Sequence, residues 1–159
     1  MSRLIYAVLS ICLCLPVCAR SAPVYVDARD YPVKGAGVAA FAEFERRWES
    51  GFDDACSDAL CGSGYGNYRP VYLRCVVRAV DGSVQSCHWA VAGSAEGIDP
   101  KNGRGEYEVR TLICAIPMPS NGPLQVLLAT ADDEDPFNEP LPRGGRIPYE
   151  VMRDCVGEI

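Results

Sequence analysis

Val71-Tyr72-Leu73-Arg74-Cys75-Val76-Val77-Arg78-Ala79 and Ser83-Val84-Gln85-Ser86-Cys87-His88-Trp89-Ala90-Val91-Ala92, joined through Asp81-Gly82, decide the fold. Both runs alternate apolar and polar side chains, the period-two pattern of half-buried strands, and the Asp-Gly pair between them signals a hairpin. Two registers compete. A two-residue turn sets Cys75 against His88 and Leu73 against Ala90. A three-residue turn with Gly82 as a left-handed bulge sets Cys75 against Cys87, Leu73 against Trp89 and Val71 against Val91. The second gathers every large apolar group on one face and is preferred, because a one-residue slip would turn that whole set outward. Its outer face then carries Tyr72, Arg74, Arg78, Ser86 and His88.

Working outward, Glu106 to Ile116 reads as a third strand with Leu112, Cys114 and Ile116 on one face, entered from an Asp99-Pro100-Lys101-Asn102-Gly103 turn. Pro23 to Ala28 reads as a short strand or an extended arm. Val38, Phe41, Phe44, Trp48 and Phe52 recur at three- and four-residue spacing, with Glu43, Arg46, Arg47 and Ser50 opposite, which predicts an amphipathic helix of about four turns. Ser50-Gly51 is its expected stop. Asp53 to Pro70 reads as a loop rich in Gly, Ser, Asn and Tyr. Pro123 to Ala131 places Leu124, Leu127, Leu128 and Ala131 at helical spacing. A polar, proline-rich stretch from Asp132 to Arg146 precedes a short last helix opened by Pro148 and carrying Val151, Met152 and Cys155. The predicted fold is α+β, an antiparallel sheet of three to four strands covered by helices.

Nine cysteines divide into Cys12, Cys14 and Cys18 in an apolar N-terminal stretch and six beyond it: Cys56, Cys61, Cys75, Cys87, Cys114 and Cys155. Arg3, the apolar run Leu4 to Val17 and the small residues Ala19, Ser21 and Ala22 follow the order of a secretory signal peptide. The expected division is therefore a signal peptide over 1–21 and one disulfide-stabilised domain over 22–159, periplasmic or secreted after cleavage near Ser21. Acylation at Cys18 is disfavoured because Leu15-Pro16-Val17 stands where a lipobox wants small residues. Six thiols in an oxidising compartment imply three disulfides, and 15 pairings are open. Cys56–Cys61, Cys75–Cys87 and Cys114–Cys155 is the set expected here, with a link from Cys75 or Cys87 to Cys114 as the alternative.

The formal charge of −6 becomes −8 when Arg3 and Arg20 leave with the leader. So acidic a domain suits neither nucleic acid nor an anionic lipid surface as partner, and no later segment is apolar enough for stable membrane insertion. His88 is the only histidine. No Gly-x-Ser-x-Gly elbow, Cys-x-x-Cys pair or EF-hand pattern accompanies it, so no catalytic residue, cofactor or metal site is predicted. Two segments read as contact surfaces for a protein partner. Tyr65, Asn67 and Tyr68 lie in a glycine-rich loop of adaptable type. Asp132, Asp133, Glu134 and Asp135 form an acidic run able to steer a basic cleft.

From Cys56 to Cys155 the chain resembles small exported bacterial proteins of type VI secretion loci, the periplasmic immunity proteins against lipase or phospholipase effectors. The residues carrying the resemblance are Cys56 and Cys61, Tyr65-Gly66-Asn67-Tyr68-Arg69-Pro70, Leu73-Arg74-Cys75, Gly82-Ser83-Val84-Gln85-Ser86-Cys87-His88-Trp89, Cys114 and Asp154-Cys155. Gly62-Ser63-Gly64 departs from the family pattern, which has an acidic residue there. The resemblance implies an inhibitor that occludes the active site of a secreted toxic enzyme and does no chemistry itself, and the free protein is expected to be a monomer. A small secreted carboxylate-dependent hydrolase and an envelope-associated structural module without inhibitory role are the alternatives.

Overall fold

The computed structural model describes residues 22, 24–57, 61, 65–119 and 122–157. The expected leader over 1–21, Pro23 and the loop residues Gly62-Ser63-Gly64 lie outside them.

Helix α1 (Val38–Ala55) follows from the aromatic stripe, since Phe41, Phe44, Trp48 and Phe52 are all buried. It does not stop at Ser50-Gly51. Gly51 continues the helix because a Cβ there would stand 2.4 Å from the Cβ of Phe137. The glycine is a seat for that ring, not a terminator. The stripe packs on a sheet whose strands are β1 (Tyr25–Asp27), β2 (Gly66–Arg78), β3 (Ser83–Ile98), β4 (Gly105–Ile116) and β5 (Gly122–Pro123). Their order is β1-β2-β3-β4, every pairing is antiparallel, and β5 adds to the first residues of β3. Two short α-helices follow among the described residues: α2 (Leu124–Leu128), extended by a 3-10 turn over Ala129–Asp132, and α3 (Pro148–Gly157). The architecture is the expected α+β.

In the central hairpin Cys75 pairs with Cys87 and Leu73 with Trp89, as preferred. The route to that register differs from the three-residue turn. The strands are joined by four residues, 79–82, with Gly82 at φ +71°, and Gln85 bulges out of β3 to restore the phase. A second shift occurs at Val71. Pro70, not Val71, faces Val91, and the Val71 side chain is exposed. Proline offers no N–H to the ladder, so an irregularity beside Pro70 is where one is expected.

Trp89 is the hub of the core. Its ring lies 5.8 Å from Trp48, 5.5 Å from Phe52 and 6.0 Å from Phe137, tying sheet, helix and the proline-rich segment together. Three disulfides hold the layers: Cys56–Cys61, Cys75–Cys87 and Cys114–Cys155. These are the pairs expected. The last fixes α3 to β4 across 41 residues, a closure that contributes about 4 kcal/mol in the chain-entropy treatment.

The backbone of Leu73 fixes which strand edges are free. Its N–H donates to Glu45 Oε1 at 2.8 Å and its carbonyl accepts from Arg29 Nη1 at 3.1 Å, so both groups point away from β3. Leu73–Trp89 and, two residues on, Cys75–Cys87 are therefore non-hydrogen-bonded pairs. The 4.1 Å Cα separation at the cystine agrees. Trp89 in turn directs its backbone at Cys114 of β4. By alternation Tyr107, Val109, Thr111 and Ile113 present N–H and C=O at the outer edge of the sheet.

Candidate interaction surface

All the helices lie on the face of the sheet that carries Leu73, Cys75, Trp89 and Cys114. Pleating sends the alternate residues to the opposite face: Tyr72, Arg74 and Val76 from β2, Ser86, His88 and Ala90 from β3, and Tyr107, Val109, Thr111 and Ile113 from β4. No described helix covers this face. Ile98, Tyr107, Val109 and Ile113 are 74, 79, 73 and 62 % exposed and form a stripe along β4 and the end of β3. Tyr72 and Tyr25 add two further exposed aromatic rings on the same face. A contiguous apolar stripe bordered by polar groups is the usual mark of a contact surface.

The polar centre of the face is His88. Ser86 Oγ lies 3.2 Å from His88 Nε2, and Arg74 stands opposite His88 across the strands, its guanidinium held by Asp27 at 2.7 Å. Asp27 thus neutralises the arginine and does not orient the imidazole. A serine nucleophile further requires donors for an oxyanion. The Ser86–His88 pair instead occupies a flat sheet surface, where it can exchange hydrogen bonds with a docking partner.

The tyrosines expected to act together as contact anchors are separated by burial. Tyr68 is only 3 % exposed and belongs to β2, because its ring covers Gly93, where a Cβ would stand 2.6 Å from it. It is a core residue, and its ring is not available to a partner; burial raises its phenol pKa. Asn67 takes φ +55°, a left-handed backbone that asparagine tolerates, and this brings the Tyr65 and Tyr68 rings to 6.5 Å on one side. Tyr65 is half-buried. Its hydroxyl donates to Glu108, which raises its pKa, and Arg110 lies over its ring at 5.6 Å. This cluster closes the far end of the helical face and leaves Asn67 and one edge of Tyr65 to solvent.

Asp132, Asp133, Glu134 and Asp135 are all exposed. Arg47 of α1 anchors their backbone, donating to the carbonyls of Ala131 (3.0 Å), Asp133 (2.6 Å) and Glu134 (3.0 Å). Asp135 caps the next turn by accepting from Asn138. The four carboxylates therefore project from a fixed ridge. They share the last turn of α1 with the tyrosine cluster, because Asp54 lines the depression below Glu134 and Asp135 while Asp53 lines the one below Asn67 and Arg69. Both predicted contact segments thus sit on the helix side, and the apolar sheet face lies opposite. The sequence reading placed Tyr72, Arg74, Ser86 and His88 on that face but missed its apolar stripe on β4, although one signal was available. Leu112 to Ile116 is apolar on both alternations, which an antiparallel strand with one solvated face does not need.

Among the described residues no group of three or more His, Cys, Asp or Glu side chains is arranged to hold a metal ion, and no helix is long and apolar enough to cross a membrane. A small, almost wholly apolar hollow among the described residues is lined by Val84, Met118, Pro123, Leu127 and Leu141. Comparison with protein-family models, curated proteins and solved structures yields no match to this chain.

Proposed function

We propose that this chain is an exported, disulfide-braced binding protein whose uncovered sheet face docks on a protein target. Its most specific form is a periplasmic immunity protein that blocks substrate entry to a type VI secretion phospholipase. The observation that carries the reading is the exposed stripe of Tyr107, Val109 and Ile113 on a rigid antiparallel sheet. Apolar and aromatic groups held on fixed backbone lose little entropy on docking, and aromatic anchors dominate interface energies. The acidic ridge adds steering toward a basic target. The immunity assignment itself draws on the cysteine and hairpin resemblance, and the six paired cysteines suit an oxidising compartment.

The test is recovery of a complex with a type VI secretion phospholipase, sought first among the products of the neighbouring genes, followed by hydrogen-exchange footprinting. The reading requires slowed exchange over residues 105–116 in the complex. Protection confined to the helix side would move the contact to the acidic ridge and Tyr65, and absence of a complex would leave the sheet face without a target.

A further inference from the structure

We infer that β4 is a self-pairing edge, and that two copies of this chain, in place of the monomer expected from the sequence, join through it into one continuous antiparallel sheet about a two-fold axis at Val109. β4 is the last strand in the sheet order, and among the described residues no strand pairs with its far side. Tyr107, Val109, Thr111 and Ile113 turn their N–H and C=O groups to that side, as the Leu73 geometry requires. The strand is long, lacks proline and exposes large apolar groups. Such an edge is a template for another strand unless something blunts it. Charged residues are the usual blunting device, and β4 carries three, Glu106, Glu108 and Arg110, so a partner strand must match them.

The charges select the occupant and its register. Glu108 and Arg110 are the charged pair at the centre of β4, two residues apart on one face. In a two-fold antiparallel pairing that keeps the faces aligned, the axis must pass through a residue. With the axis at Glu108, Glu106 faces Arg110 of the second copy, but two glutamates meet at the axis itself. With the axis at Arg110, two arginines meet. With the axis at Val109, Glu108 faces Arg110 of the second copy and Arg110 faces Glu108 of the second copy. These fall at non-hydrogen-bonded positions, where side chains are closest. Val109 then meets Val109 and Tyr107 meets Thr111 on the open face, and Gly105 meets Ile113. Tyr107 to Thr111 bond through the backbone groups already aimed outward. Of these three registers, only the one centred on Val109 leaves no like charges opposed. A foreign strand would match by chance; a second copy matches by symmetry.

Pairing would also join the two apolar stripes into one surface. The inference stands independently of the toxin reading.

Sedimentation equilibrium of the purified protein tests it. Twice the chain mass is expected for the native protein, with Arg110→Glu weakening association roughly tenfold or more, since it places like charges at both symmetric pairs. Arg110→Glu also removes the contact with the Tyr65 ring, so its thermal midpoint is measured as a control. The deciding variant is the swap Glu108→Arg with Arg110→Glu. It restores opposite charges at both pairs and is expected to recover the dimer. Val109→Pro, which removes one outward N–H, is expected to be monomeric with its thermal midpoint near native. A native protein of single-chain mass at high concentration overturns the proposal. So does a dimer indifferent to Arg110→Glu, or a swap that stays monomeric while folded. Monomeric protein whose β4 variants lose only toxin binding would give the edge to a foreign strand, and likewise refutes self-pairing.

Discussion

Glu45 accepts the Leu73 N–H at 2.8 Å, replacing the strand neighbour that β1 is too short to provide. Arg29 completes the substitution. It bonds the Leu73 carbonyl and pairs with Glu45 at 2.7 Å, so two side chains do for Leu73 what a ladder residue would. Its guanidinium also lies 4.6 Å from the Phe41 ring. Both charged groups are about four-fifths buried, so removing one partner strands the other as well as the amide. Glu45→Ala is expected to destabilise by about 1–3 kcal/mol, and Glu45→Gln by less because its amide oxygen still accepts. Urea unfolding measures both.

Gly51 and Gly93 are closed to larger residues by rings from distant parts of the chain. Gly51→Ala improves helix propensity by roughly 1 kcal/mol yet drives a Cβ into Phe137 at 2.4 Å. Gly93→Ala meets the Tyr68 ring at 2.6 Å. Each is expected to cost about 1–3 kcal/mol net, read as a lower thermal midpoint. An exposed glycine with open surroundings, Gly97, serves as the neutral control.

The hairpin turn carries a pH signature. Asp81 accepts from Arg78, then from the Ser83 hydroxyl and N–H, and these bonds hold its carboxyl far below the ordinary 3.8. A folded pKa below the unfolded one gives stability that is present above about pH 4 and is lost as the pH falls below it. The difference in stability between native protein and Asp81→Asn should therefore be largest near neutrality and shrink steadily as pH falls below 4. Chemical denaturation at a series of pH values measures it.

The acidic ridge can be tested without unfolding it. Arg47 holds backbone carbonyls and not the carboxylates, so reversing Asp132, Asp133 and Glu134 to lysine should leave the thermal midpoint near native. Association with the proposed toxin target is expected to slow about tenfold at low salt and much less at high salt, since steering is screened. Unchanged association rates would remove the ridge from the binding model. Asp135 is spared, because its side chain caps Asn138.

What the sequence revealed and what it hid have local physical reasons. The pairing of Cys75 with Cys87 was legible because the alternative register would have put Leu73 and Trp89 on opposite faces. The helix from Val38 was legible from its aromatic spacing. Its end was not, because Phe137, far along the chain, decides the role of Gly51. Tyr68 looked like a loop residue because nothing in its neighbourhood announces that Gly93 lies beneath its ring. Val71 was misplaced by a shift beside Pro70 that periodicity does not register. The open face was half legible. Arg74, Ser86 and His88 were read as outward, but the exposure of Tyr107, Val109 and Ile113 depends on the helices all lying on one side.

The three covalent links underlie each of these arguments. Protein taken from its native compartment should be six hydrogens lighter than the fully reduced chain, with Cys56, Cys61, Cys75, Cys87, Cys114 and Cys155 unreactive to thiol reagents after denaturation. Intact-mass measurement decides this.

The most direct test of the account is phospholipid hydrolysis by the proposed target, a type VI secretion phospholipase, titrated with this protein and with Ile113→Asp. The account predicts stoichiometric loss of turnover with the native protein and at least a roughly tenfold weaker effect for the variant at an unchanged thermal midpoint. Full inhibition by Ile113→Asp, or undiminished hydrolysis in the presence of excess native protein, would contradict it.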